Sequence, residues 1–235
     1  MPTRSPVTAA LRSALLPMPS RRPALRTPAV RPFAVAPWTA WDRVKLALDF
    51  VFAGVLLLAL APLILAAMLV VKATSRGPAI YSQTRVGRGG REFTIYKLRS
   101  MYDDCESLTG PRWALPGDPR VTPVGHVLRA LHIDELPQLW NVIRGDMSLI
   151  GPRPERPELC VEIRQHVDGY DRRHAVKPGI TGFAQVHLPP DSTMQSVREK
   201  LVFDRFYILH RGPLLELKIL ALTALKLLGR RRLSR

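Results

Sequence analysis

The chain has 235 residues, with 35 Lys and Arg against 19 Asp and Glu, a formal net charge of +16 and a pI near 10.9. That length suits one sizeable domain with a membrane element and tails, and the charge points to a polyanionic partner: nucleic acid, anionic lipid headgroups or a phosphate-rich substrate. The two cysteines, Cys105 and Cys160, lack the C-x-x-C spacing of a metal or redox site and read as reduced thiols in a cytosolic environment.

Residues 1–41 are rich in Pro, Arg and Ala, and the first acidic residue is Asp42. Such a segment cannot bury enough apolar area to offset its ordering entropy, so it reads as a disordered basic tail. Pro and Arg interrupt each short apolar run, which does not fit a signal peptide. From Phe50 to Val71 the sequence FVFAGVLLLALAPLILAAMLVV carries no charge. A straight helix of that length reaches roughly 33 Å, enough to cross a bilayer. A membrane element is therefore placed at residues 42–76. Arg31, Arg43 and Lys45 precede it and Lys72, Arg76 and Arg85 follow, so both flanks favour the cytoplasm. A helix that enters, breaks at Ala61-Pro62 and returns satisfies both flanks. A kinked spanning helix is the other reading, since proline is tolerated in transmembrane helices.

Gly77-Pro78 marks a turn. Ile80-Tyr81 and Phe93–Tyr96 then read as strands joined by the Gly87–Gly90 hairpin loop. Arg85, Lys97 and Arg99 gather near one another in that hairpin, either as solvated charge or facing phosphate. Met101–Glu106 reads as a helix start, with Asp103, Asp104 and Glu106 at the positive end of the dipole. Thr109–Pro123 is a loop rich in Pro and Gly, and Val124–Leu131 is a short helix that puts Arg129 one to two turns ahead of Asp134. Helices are expected over Arg156–His166, Gln195–Leu209 and Pro213–Leu228, with a turn at Val176–Gly182. In the last helix Leu214, Leu217, Ile219 or Leu220, Ala224 and Leu228 share a side and lead into Gly229-Arg230-Arg231-Arg232. That face suits the membrane interface or packing on the domain. The expected fold is mainly α with a few short strands (α+β). Its soluble domain spans 77–228, and a basic tail follows over 229–235.

The stretch HIDELPQLWNVIRGDMSLIGPRP (132–154) opens on two adjacent carboxylates, Asp134 and Glu135, and ends on the rigid turn Gly151-Pro152-Arg153-Pro154. Asp134 reads as an N-cap or first-turn residue, with Pro137 accommodated in that turn. A helix N-terminus favours the ionised carboxylate, suited to metal binding or nucleophilic attack, while plain capping is the alternative. Carboxylates beside basic groups suit diphosphate chemistry. Mg2+ binds one or two carboxylates together with substrate phosphates, and arginine neutralises charge developed in transfer.

Three motifs, QTRVGRGGREFTIYKLRSM (83–101), DELPQLWNVIRGDMSLIGPRP (134–154) and VKPGITGFAQV (176–186), resemble the bacterial sugar transferase family. These are monotopic phosphoglycosyl transferases that move a hexose-1-phosphate onto a polyprenyl phosphate. The resemblance covers about residues 42–225. Larger members carry further transmembrane helices ahead of this unit, so the chain is expected to be the minimal catalytic form. The resemblance implies that Asp134 attacks the β-phosphate of a nucleoside-diphosphate sugar and that polyprenyl phosphate then takes the phosphosugar. Glu135 matches the second acid of the dyad, as base or metal support, and Arg129 matches a residue that holds phosphate. Pro152-Arg153-Pro154 matches the turn at the nucleotide end of the donor, and Mg2+ is expected beside Asp134. The same resemblance implies a re-entrant helix broken at Pro62, a catalytic domain on the cytoplasmic face of the bacterial inner membrane, and leaves room for a homodimer. Ala61 stands where members often have Ser, and Glu216 where Asp is frequent.

Two other readings remain to be separated. A membrane-tethered basic protein that binds anionic lipid or nucleic acid needs no acidic pair, and no interleaved aromatic motif supports nucleic acid. A direct glycosyltransferase would release a nucleoside diphosphate in place of a monophosphate.

Overall fold

A computed structural model describes residues 36–103, 105, 113, 117–191 and 193–233, with side chains to residue 229. The expected N-terminal tail lies outside the described residues up to residue 35. Helix α1 runs over Ala40–Thr74, starting two residues ahead of the expected boundary. A capping box fixes its start: the Thr39 hydroxyl accepts from the Asp42 amide at 3.1 Å, and Asp42 accepts from the Thr39 amide at 2.7 Å. Helical structure continues through Ala61-Pro62, so the proline does not divide α1 into two helices. Pro62 has no N–H to give the Leu58 carbonyl, which weakens the ladder at mid-helix.

One stripe of α1 faces the rest of the chain. Lys45, Asp49, Ala53, Ile64, Ala67 and Val71 are buried, with Leu57 and Leu60 packed alongside them. Their spacing of three and four keeps them on one face. The other faces expose Leu46, Phe50, Val55, Leu65 and Leu69, and Leu58 is 78 % exposed. An apolar surface of that extent marks a membrane or partner contact.

Strands β1 (Ile80–Val86) and β2 (Glu92–Leu98) form the expected antiparallel hairpin, with Tyr81 opposite Lys97 and Arg85 opposite Phe93. Its turn needs Gly89 and Gly90 at φ 67 and 79. The hairpin lays Ile95 and Leu98 against the buried stripe of α1. Among the described residues of the expected helix start, Met101–Glu106, none is helical. Met101 instead bridges Val121, and Tyr102 donates to the Arg120 carbonyl at 2.9 Å. Asp104 and Glu106 lie outside the described residues, as do residues 109–112 and 114–116 of the expected loop.

Helix α2 (Pro123–Ala130) is capped by the Thr122 hydroxyl. Helix α3 (Gln138–Ile143) is locked to β2 by Asn141, which accepts from the Tyr96 amide at 3.1 Å and donates to the Thr94 carbonyl at 2.7 Å. Strand β3 (Ser148–Ile150) pairs in parallel with β4 (Gly179–Thr181), part of the segment expected to be a turn alone. Glycines allow this pairing: a Cβ on Gly179 would sit 2.0 Å from the Gly151 nitrogen, and one on Gly182 would sit 2.1 Å from the Gly151 oxygen.

Helix α4 (Pro157–His166), the short helix α5 (Phe183–His187), α6 (Met194–His210) and α7 (Pro213–Leu233) complete the domain. Leu159, Cys160, Ile163, Tyr170, Val197 and Leu201 form one core, and Ile150, Tyr207, Ile208 and Ile219 form another. On α7, Ile219 is fully buried, whereas Leu214, Leu217, Leu220, Leu225 and Leu228 face outward. Packing on the domain therefore applies to the face that carries Ile219, while the expected leucine face is exposed.

Candidate active site

Asp134 and Glu135 sit in a 3-10 turn, Ile133–Glu135, one turn ahead of α3. The preceding residue, His132, takes φ 55 and is the only described non-glycine residue with positive φ. A left-handed residue there is costly and separates the turn from α2. The placement corrects one expectation: Asp134 does not cap α3, which starts at Gln138 after Pro137.

The two carboxylates have opposite surroundings. Glu135 Oε1 accepts from Lys97 Nζ at 3.0 Å and from Arg153 Nη2 at 2.5 Å, and its Oε2 accepts from Arg153 Nη1 at 3.4 Å. Burial pushes the Glu135 pKa up, yet Arg153 and Lys97 together hold it well below the usual carboxylate range. Asp134 is 7 % exposed, and its carboxylate accepts no hydrogen bond from any described residue. Burial, reinforced by the charge of Glu135, raises its pKa against the pull of Lys97, Arg129 and Arg153. A helix dipole therefore does not set its ionisation. Asp134 is a desolvated, uncommitted carboxylate inside a ring of cations.

The Pro152–Pro154 turn is held by its carbonyls. Pro152 O accepts from the Gly179 amide at 2.9 Å, Arg153 O from Arg173 Nη2 at 3.0 Å and Pro154 O from Arg85 Nη1 at 3.4 Å. Arg173 is itself fixed by Tyr170 Oη at 2.8 Å and by Asp204 at 2.8 Å, all three buried. The arginine side chain of the turn is thus free to reach the dyad.

Of the expected basic residues, Lys97, Arg129 and Arg153 converge on the dyad. Arg129 donates through Nε to Ser100 Oγ at 2.8 Å. Arg85 lies on the far side of the turn, paired with Glu155 at 3.0 Å. Arg99 is elsewhere and does not join the expected cluster. Its guanidinium donates to the carbonyls of Ser75, Arg76 and Gly77 and closes the C-terminus of α1. Among the described residues no three metal-ligating side chains converge.

Sequence reasoning missed the polar foot of α1. Glu216, read as a mild change, is buried and accepts from Lys45 Nζ at 2.7 Å, Trp41 Nε1 at 3.2 Å and Tyr207 Oη at 3.0 Å. Arg211 grips Asp42 with two bonds of 2.9 Å. The available sequence signal is Asp42, Lys45 and Asp49 recurring at helical spacing, of which only Lys45 is read, as part of the basic flank.

One helix long and apolar enough to cross a membrane is thus docked on a domain in which Lys97, Arg129 and Arg153 act on a buried carboxylate. The chain belongs to the bacterial sugar transferase family, whose model matches residues 40–230. It is 43 % identical over 203 residues to the UDP-glucose:undecaprenyl-phosphate glucose-1-phosphate transferase of Caulobacter vibrioides, covering 85 % of this chain and 75 % of that protein. It is 42 % identical over 193 residues to the undecaprenyl-phosphate glucose phosphotransferase of Komagataeibacter xylinus, covering 80 % of this chain and 36 % of that protein. It is also 44 % identical over 165 residues to the UDP-N-acetylgalactosamine-undecaprenyl-phosphate N-acetylgalactosaminephosphotransferase of Aeromonas hydrophila, covering 70 % of this chain and 39 % of that protein. The chain thus spans well under half the length of two of these relatives.

Proposed function

We propose that this chain is a phosphoglycosyl transferase that moves a sugar-1-phosphate from a nucleoside-diphosphate sugar, with UDP as the carrier, to undecaprenyl phosphate. The observation that carries the proposal is the asymmetry of the dyad: Glu135 is saturated by Lys97 and Arg153, and Asp134 is buried beside the same cations without a bond of its own. An Asp134 oxygen attacks the sugar-bearing phosphorus. The bond from that phosphorus to the bridging oxygen breaks, and the nucleoside monophosphate leaves with both electrons. A phosphate oxygen of the lipid then attacks the same phosphorus and releases Asp134. Lys97, Arg129 and Arg153 offset the charge on the transferred group. Glu135 orients Lys97 and Arg153, since its lone pairs are already engaged.

The residues suit Mg2+ carried in with the diphosphate, because Asp134 supplies one uncommitted carboxylate and Mg2+ keeps substrate phosphates and water as its other ligands. When bound, the ion would neutralise charge on the diphosphate.

Re-entrant insertion of α1 is supported by its docking. Asp42 and Lys45 near one end pair with Arg211 and Glu216, and the other end meets Arg99. Both ends contact one polar domain, which supports a reading with both on one membrane face, the cytoplasmic face by the positive-inside rule, and with α1 bending at Pro62 in the bilayer. The product would start a lipid-linked glycan. The test is a panel of nucleotide sugars with the purified protein and undecaprenyl phosphate: nucleoside monophosphate release by wild type and none by Asp134→Asn is expected. Release of nucleoside diphosphate would indicate direct glycosyl transfer.

A further inference from the structure

A second charged site lies at the foot of α1. A cavity of about 50 Å3, open to solvent at its mouth, is bounded by the first turns of α1, the hairpin turn, β3 and the segment before β4. None of Lys97, Arg129, Asp134, Glu135 or Arg153 lines it.

Most of its charges are already matched. Arg211 is paired with Asp42, and Lys45 lies between Asp49 at 3.4 Å and Glu216 at 2.7 Å. Two cations are not matched. Arg88 donates only to the carbonyls of Ala36 at 2.9 Å and Ala175 at 3.4 Å and stacks on Trp38, 4.6 Å from the ring centre. The Lys177 ammonium has no hydrogen-bond partner among the described residues, although burial lowers its pKa. Asp49 and Asp146 act on Lys177 from a distance, and Asp146 is itself paired with Arg144 at 3.4 Å. Against the extra carboxylate beside Lys45, the two unmatched cations leave one positive charge in excess. Arg88 and Lys177 are both half-buried, so an anion seated in the cavity would balance that excess where water reaches them only in part.

The mouth of the cavity is amphipathic. Trp38 and Leu46 are exposed at its rim, and Phe50 continues the exposed apolar surface one turn further along α1. A ligand with a singly charged head and an apolar tail satisfies both features.

We propose that this cavity binds the phosphodiester headgroup of a membrane phospholipid, with Lys177 and Arg88 as the anion ligands and the acyl chains lying over Leu46 and Phe50. The single excess charge selects a phosphodiester monoanion over a phosphomonoester dianion, so the site is separate from that of a polyprenyl phosphate acceptor. The inference rests on α1 meeting the membrane and is independent of the transferase reading.

The test titrates the full-length protein in neutral detergent with dihexanoylphosphatidylglycerol, farnesyl phosphate or inorganic phosphate, following bound ligand by native mass spectrometry. Saturable binding of the phosphatidylglycerol is expected, weakened at least tenfold by Lys177→Gln and unchanged by Arg172→Gln, an exposed cation outside the cavity. Lys177→Gln removes no hydrogen bond, so its thermal unfolding in lipid-free detergent should match wild type. Arg88→Gln should weaken binding to a similar degree. Unchanged binding in Lys177→Gln overturns the proposal. Inorganic phosphate binding as tightly as the lipid would make this a free-phosphate site, and preference for farnesyl phosphate would assign the cavity to the acceptor. Either result contradicts the phospholipid assignment.

Discussion

Glu135 and Arg153, 18 residues apart, meet in a two-point ion pair of 2.5 and 3.4 Å at the floor of the candidate active site. The planar guanidinium fits both carboxylate oxygens, which a lysine ammonium cannot reproduce. The Arg153 side chain is 43 % exposed, so the pair contributes more to positioning than to stability. Arg153→Ala should lower the rate of nucleoside monophosphate release about 100-fold, and Arg153→Lys should recover little of it. Wild-type turnover in Arg153→Lys would show that charge alone suffices.

The dyad also predicts a pH signature. The nucleophile must be ionised, and the Asp134 pKa is raised above the ordinary aspartate value of 3.8, so activity should fall with decreasing pH earlier than for an exposed aspartate. Glu135→Gln removes a charge that raises the Asp134 pKa and releases Lys97 and Arg153 from their partner. The acid limb of kcat/KM should therefore move to lower pH while some activity survives. Complete loss of activity, with wild-type folding, would point to Glu135 as the base. Stability follows pH in the same direction: the lowered Glu135 pKa stabilises the fold above its unfolded value, near 4.5, and that contribution is lost as pH falls through the folded value.

Arg173 links the catalytic turn to α6 through Asp204. Burial raises the Asp204 pKa, and Arg173 opposes that shift. Arg173→Met would strand a buried carboxylate and should cost about 3–5 kcal/mol, measured by denaturant unfolding in detergent. Arg173→Met/Asp204→Asn should recover much of that loss, because no unpaired charge remains. Recovered stability without recovered KM for the nucleotide sugar would identify Arg173 as a positioning residue for the Arg153 turn.

The docking of α1 predicts its topology. With Cys105→Ser and Cys160→Ala as background, cysteines placed at Pro37 and Thr74 should both react with an impermeant maleimide only after the cytoplasmic face is opened. Labelling from opposite faces would show a spanning helix.

Much of this arrangement was legible in the sequence, because the signals were local. An uncharged run gives α1, a Gly-rich turn between β-branched strands gives the hairpin, and proline starts mark α2, α4 and α7. What was not legible depends on contacts far apart in the chain. Arg99 looked like Lys97 by composition, yet its neighbours turned out to be the last carbonyls of α1. Glu216 reads as surface until Lys45, 171 residues away, is set against it. The raised pKa of Asp134 likewise depends on burial, which adjacent letters do not encode.

The central claim is covalent participation of Asp134. The purified protein should be incubated with a UDP-sugar in the absence of polyprenyl phosphate, quenched in acid and measured by intact mass spectrometry. A phosphosugar adduct mapping to the peptide that contains Asp134, absent in Asp134→Asn and discharged by undecaprenyl phosphate, is the predicted result. Turnover to lipid-linked product by an Asp134→Asn protein shown free of deamidation, with no adduct at any time point, would contradict it.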